Sequence, residues 1–167
     1  MPVRFVELTE DAMRALVDGD LDRASAAAGV RLTEYFLTDH AKSVWRRRLD
    51  QLARAPADAP WIARAAVAEP DGAVVGHAGY HAAPDADGRV EIAYSVDPAH
   101  RRRGHARAML AALLDRAAAE PSVRTVRASI SPDNPGSLAT IAGHGFVHVG
   151  EQWDEVDGRE LLFERPA

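Results

Sequence analysis

The chain of 167 residues contains no cysteine, and Lys42 is its sole lysine. Without cysteine there are no disulfides, no thiolate zinc sites and no thiol nucleophile, which suits a reducing compartment. No apolar run approaches the roughly 20 residues needed to cross a bilayer, so no membrane partner is expected. The opening "MPVRFVELTEDAMRAL" places acidic residues where a signal peptide needs an apolar stretch, and a cytoplasmic location is expected. Basic charge is also short. The formal net charge is -5 and the pI near 5.8, a balance that disfavours a general nucleic-acid binder. What is present is ordinary for a globular protein: 47% hydrophobic and 27% charged residues. Abundant alanine and arginine read as the codon bias of a GC-rich genome. The length is that of one domain, 1–167, able to bury a core.

Hydrophobic periodicity divides the chain. Val3 to Leu8 alternates as a short strand, and Thr9 caps a helix running to Leu16, with Glu10 and Asp11 in its first turn. A helical region broken by Gly19 and Gly29 continues to Ala55. Within it Ala41, Val44, Trp45, Leu49 and Leu52 form one apolar stripe. Three apolar runs, Trp61–Ala68, Val74–Ala82 and Val90–Val96, are separated by turn signals and predict an antiparallel meander. A helix over Gly104–Ala119 should bury Ala106, Met109, Leu110, Leu113 and Leu114. A strand over Val123–Ile130, a short helix from Asn134 to about Gly143, and a hairpin turning at Asp157-Gly158 complete the chain. There are no repeats and no linker. The pattern predicts one α/β (α+β) domain with a mostly antiparallel sheet and flanking helices.

The most distinctive segment is "DPAHRRRGHARAML", Asp97 to Leu110. A strand, a proline break, a glycine and a helix start make the local grammar of an anion site, because a helix N-terminus carries unpaired N–H groups and positive dipole charge. Gly104 lets an anion approach the main chain, Ala106 does not block it, and the arginines add charge suited to phosphate. Diphosphate is a natural occupant. Two other readings stay open: a solvated helix start, and a nucleic-acid contact. The first must place three consecutive arginines at the positive end of a helix dipole. The second lacks the preceding helix of a recognition motif.

The segment resembles the acetyl-CoA motif of the GNAT family of N-acetyltransferases. Arg or Gln, two residues, Gly, one residue, then Gly or Ala is matched by Arg101, Arg102, Arg103, Gly104, His105 and Ala106. The strand "VEIAYSV" before it and "SISPDNPGSLATIAGHGF" after it stand where that family has its neighbouring elements. The likeness covers roughly Trp61 to Phe163, with the cofactor core at about 90–146. It implies a three-layer fold whose sheet splays at the cofactor site. It further implies that main-chain groups at Ser95 and Val96 pair with the pantetheine arm. The N–H groups of Arg103, Gly104, His105 and Ala106 would receive the diphosphate, Asn134 would bond the arm from the other side, and Ser137 would lie near the thiol. Acetyl-CoA is then the acyl donor and an amine the acceptor.

One family feature is missing. Many members carry a tyrosine, seven residues after the asparagine, that protonates the leaving thiolate; here that place holds Ile141. Asn134 with Ser137 and an aliphatic Ile141 is similar to the RimJ/RimL branch, which acetylates protein N-terminal amines, and there the serine is the candidate thiol partner. Ser137 is otherwise read as a helix-start serine capping backbone. Glu91, on the strand face opposite Val90, Ile92 and Tyr94, is the candidate base or amine-orienting group. His77 and His81 share a strand face and can relay a proton; they lack a third ligand, so no metal is expected. His144 and His148 read as structural or exposed.

Energetics bear on the acceptor. Deprotonating a lysine at pH 7 costs about 4.6 kcal/mol, whereas an α-amine near pKa 8 costs about 1.4 kcal/mol. General bases contribute about 10²–10⁴-fold. A site without an evident base or tyrosine acid therefore suits an α-amine. The acidic hairpin (Glu151, Asp154, Glu155, Asp157, Glu160) reads as solvated surface, or else as an attractor of a cationic acceptor. The expectation is direct attack by a neutral amine in a ternary complex, with a small-molecule amine acetyltransferase or a non-catalytic acyl-CoA-binding regulator as alternatives. The chain is expected to be a monomer or homodimer and to bind no nucleic acid.

Overall fold

The computed structural model describes residues 2–167. Strand β1 (Val3–Glu7) leads into helix α1 (Glu10–Val17), where the Thr9 hydroxyl accepts from the Ala12 N–H at 3.2 Å. The broken helical region resolves into α1, α2 (Leu21–Ala28) and α3 (Asp39–Arg54). Gly19 and Gly29 separate them with φ of 78° and 74°, a left-handed backbone that favours glycine. Strands β2 (Arg64–Ala68), β3 (Val74–Tyr80) and β4 (Arg89–Val96) form the expected antiparallel meander. β2 starts later than Trp61, because the Trp61 and Ile62 N–H groups both bond back to the Asp58 carbonyl in a turn.

Helix α4 (His105–Ala119), strand β5 (Thr125–Ile130), helix α5 (Pro135–Ile141) and the hairpin of β6 (Val147–Asp154) and β7 (Gly158–Pro166) follow. Among the described residues the strands make one sheet in the order β1-β2-β3-β4-β5-β7-β6. The β4–β5 pair is parallel and every other pair antiparallel.

Two apolar cores lie on opposite faces of this sheet. Period-two alternation in β2 sends Ala66 and Ala68 into one core and Ala65 and Val67 into the other. The first core packs α4 and α5 through Met109, Leu110, Leu113, Ala117 and Ile141 against Val75, Ile92 and Val126. The second packs α1 to α3 through Met13, Leu16, Phe36 and Trp45. Helices, sheet and helices thus form three layers. On α4 the buried face is centred one step from the expected stripe: His105 and Ala117 are buried, while Leu114 is partly buried and Ala106 half-exposed.

The sheet opens where the site lies. β4 pairs with β5 only from Arg89 to Glu91, although β4 continues to Val96 and β5 to Ile130. On its other edge β4 stays paired with β3 as far as Val96. The Glu91 carbonyl accepts from the His81 N–H and the Asp97 N–H donates to the Val75 carbonyl, each at 2.8 Å. Antiparallel alternation between these two bonds turns the main chain of Ala93 and Ser95 toward β3. It leaves that of Ile92, Tyr94 and Val96 facing the opening.

Candidate active site

The arginine–glycine turn is built by a locked strand end. Asp97, buried at 7% exposure, accepts from the Ala99 N–H at 3.0 Å and from the Thr33 hydroxyl at 2.9 Å. Beside it the hydroxyls of Tyr35 and Ser95 share a hydrogen bond. The segment before α3 therefore clamps β4 just upstream of the turn. Arg102 and Gly104 are both left-handed, with φ of 61° and 84°, and α4 starts at the next residue. The first N–H groups of α4 have no partner within the helix, and they face a cleft of about 680 Å³ lined by Val96, Gly104, Ala106 and Ser137. Arg101, Arg102 and Arg103 are exposed. The Arg101 Nε donates to the Val96 carbonyl at 3.1 Å, so that side chain folds back on the strand. The His105 imidazole points inward instead, 4% exposed and with Nδ1 unpartnered. Burial first, then the neighbouring His100 and Arg103, lower its pKa.

One expected contact changes. Ser95 offers the opening no main-chain group, because its N–H and carbonyl serve β3 and its hydroxyl serves Tyr35. The main-chain positions outside the β3 hydrogen bonds are Tyr94 and Val96, of which the Val96 carbonyl is held by the Arg101 Nε. Across the opening, the Asn134 Oδ1 caps α5 by accepting from the Ser137 N–H at 3.1 Å, leaving only its amide N–H₂ for a ligand. Asn134, not Ser137, is the cap. The Ser137 hydroxyl is thus released from that duty and lines the cleft with Tyr94. Ile141 is 4% exposed in the core.

On the far side of β4 a second cleft of about 360 Å³ is lined by His81, Glu91, Asp154, Asp157 and Glu160. Glu91 accepts from the His81 Nδ1 at 3.0 Å. Its own burial opposes ionisation, but His81, the Ser129 hydroxyl and Arg127 together hold its pKa below the ordinary value. The carboxylate is committed as an acceptor. The imidazole, 47% exposed and fixed through Nδ1, keeps Nε2 for the cleft.

The closing hairpin is not simply solvated surface. Glu151 pairs with Arg159 outside the cleft, but Glu160 is 9% exposed and its pKa is raised, chiefly by burial and then by Asp154, Asp157 and Glu91. Nothing in the local pattern of "DEVDGRELL" marks Glu160 as inward; the β7 register decides it. Tyr35 and Thr33 were equally hidden, since their partners lie 60 and 64 residues away.

His77 belongs to the floor rather than the chemistry. It packs against the rings of Tyr35, Phe36 and Trp45, and burial, with a small push from His40, lowers its pKa to about 4. The unfolded chain takes up this proton near the ordinary value of 6.5, the native chain only near 4. Stability is therefore whole above pH 6.5 and declines as the pH falls toward 4, by roughly 3 kcal/mol. Urea midpoints should fall between about pH 7 and pH 4.5, and His77→Phe should flatten that slope. His144 lies half-exposed and His148 exposed, both away from these clefts. Among the described residues no group of three His, Asp or Glu is disposed to hold a metal ion, and no helix is long and apolar enough to cross a membrane.

This fold is shared. The family model for the acetyltransferase (GNAT) domain matches residues 12–147. The chain belongs to that family. It is 31% identical over 74 residues to an uncharacterized N-acetyltransferase, YjdG, of Bacillus subtilis (strain 168), a match covering 44% of each chain. It is 39% identical over 82 residues to the mycothiol acetyltransferase of Kineococcus radiotolerans, covering 48% of this chain and 26% of that protein. The matches thus span less than half of these relatives' length. Among solved structures, a spermidine N-acetyltransferase chimera from Vibrio cholerae superposes with a TM-score of 0.69 at 12% identity, over 99% of this chain and 96% of that one. The ribosomal-protein-S5-alanine acetyltransferase of Vibrio fischeri gives 0.64 at 19% identity, over 98% and 91%.

Proposed function

We propose that this protein is an acetyl-CoA-dependent N-acetyltransferase that acylates a primary amine by direct attack, with a protein N-terminal α-amine as its acceptor. The observation that carries the reading is the juxtaposition of an unpaired β4 edge with the left-handed glycine at the start of α4. The residues present fit the donor. Main-chain groups of Tyr94 and Val96 outside the β3 hydrogen bonds match an extended amide chain once Arg101 leaves the Val96 carbonyl, and a Cβ added at Gly104 would have open space around it, so the approach to the α4 N–H groups is clear. Arg103, Gly104, His105 and Ala106 would hold the diphosphate through main-chain N–H groups. Arg102 shapes the turn, and Arg101 is available once it leaves the Val96 carbonyl.

Acetyl-CoA supplies the acetyl group as a thioester. The chain's own residues supply the rest. The Val96 N–H, turned away from β3, would polarise the reacting carbonyl. Asn134 and Ser137 hold the opposite wall. The amine loses its ammonium proton to solvent before attack; His81 Nε2 takes the proton its nitrogen sheds as the amide forms, and Glu91 orients the imidazole and stabilises its charge. Glu91 is thus the orienting group, and the acids Asp154, Asp157 and Glu160 favour a cationic amine approaching the cleft. No acyl-enzyme forms through a thiol, because there is no cysteine.

The acidic wall favours a second acceptor class as well, a small polycationic amine, and spermidine is the acceptor named for one structural relative. Thiol release from acetyl-CoA, followed against peptides with free N-termini, polyamines and lysine side chains, separates the readings. Turnover is expected with α-amines; silence across the whole panel would leave a binding protein. Glu91→Gln should lower kcat by about 10²-fold with acetyl-CoA affinity within threefold, measured by steady-state kinetics and calorimetry.

A further inference from the structure

Three clefts meet on β4, and only Tyr94 and Ser95 line all of them. Ser95 is engaged with Tyr35. Tyr94 shares a strand face with Val90 and Ile92, toward α5, and its Oη is sheltered from solvent without a hydrogen-bond partner. The Ser137 and Thr140 hydroxyls lie beside it without completing such a bond. Thr140 gives its own proton to the Gly136 carbonyl at 2.8 Å, so it offers Tyr94 only an acceptor. A buried phenol without a partner is costly. The place on α5 where the family tyrosine would stand is filled by Ile141, which has no proton to give.

We propose that Tyr94, reaching across from β4, is the catalytic acid that protonates the departing sulfur, in the role that Ile141 leaves unfilled. The assignment rests on the acetyl-transfer reading above. In the step, Tyr94 Oη–H passes its proton to sulfur as the carbon–sulfur bond breaks and that bond's electron pair goes to sulfur. His81 Nε2 accepts the proton that the new amide nitrogen sheds. Solvent then carries one proton from the His81 imidazolium to the Tyr94 phenolate, which returns both groups to their starting states. Burial raises the Tyr94 pKa against the smaller opposing effect of Thr140 and Ser137, so the phenol stays protonated while the amine is neutral. Ser137 becomes a positioning residue for the phenol rather than the proton donor.

Tyr94→Phe keeps the ring and removes only the proton. Its kcat should fall at least tenfold, with the KM for acetyl-CoA within about threefold and the pH–rate profile altered on its alkaline side. A second measurement does not need turnover. Free coenzyme A bound at about pH 9, where its thiol ionises, should bind wild type several-fold more tightly than Tyr94→Phe. At about pH 6.5 the two should bind it alike. Equal kcat in the two proteins overturns the assignment, as does loss of acetyl-CoA affinity by the same factor as turnover. If wild type itself releases no thiol with any amine, the acetyl-transfer reading falls; equal coenzyme A binding by both proteins at high pH then overturns the Tyr94 assignment separately.

Discussion

Gly104→Glu should abolish tight acetyl-CoA binding, weakening it at least about 100-fold by calorimetry, or about 2.7 kcal/mol. The argument is local. At φ of 84° a side chain costs about 1–2 kcal/mol of backbone strain, yet the added Cβ has open space around it. A carboxylate at a helix start is itself favourable to the helix dipole, so the fold should survive. Its oxygens would take the N–H groups proposed for the diphosphate and repel that group's charge. A thermal midpoint only a few degrees below wild type, with binding lost, is the expected pattern. Unchanged affinity would remove the phosphate assignment and the transferase reading with it.

Gly76→Ala should be the most damaging single methyl in the chain. A Cβ there would stand 2.0 Å from the Ser95 carbonyl oxygen and 3.0 Å from both the Met109 Cε and the Val96 Cα. Two of these atoms are main chain in the paired strand, so relief requires β3 and β4 to part at the rim of both clefts. A loss of at least about 3 kcal/mol is expected, with a steep fall in soluble yield. Gly29→Ala is the control. Its Cβ would meet nothing within 4 Å, and only the left-handed φ of 74° opposes it, so about 1 kcal/mol should be lost. Equal urea midpoints for the two variants would contradict the close packing of β3 on β4.

Much of the fold is legible because it depends on near neighbours. The alternation from Val90 to Val96, the Thr9 cap, the hairpin at Asp157-Gly158 and the Arg–Gly turn all arise from contacts a few residues apart. Trp61 shows the limit. It reads as strand by its apolar run, but the Asp58 carbonyl holds its N–H in a turn. Ser95 shows another. A strand's period of two is readable, yet which half of its main chain is free depends on the partner strand, and pairing with β3 commits Ser95 and releases Tyr94. The hairpin acids divide for the same reason: Glu151 meets Arg159 outside, while the β7 register sends Glu160 inward.

The sequence by itself determined an acidic, cysteine-free α/β chain with an arginine-rich, glycine-led helix start and no tyrosine at position 141. Those properties follow from residue chemistry and short-range periodicity. Only the tertiary structure decided that the sheet parts after Glu91, that His81 keeps a free ring nitrogen while the Glu91 carboxylate is committed as an acceptor, and that the Tyr94 hydroxyl is sheltered without a partner on the face toward α5. Each of these is a relation between elements far apart in the chain. Such relations depend on register and packing, which local preferences leave open.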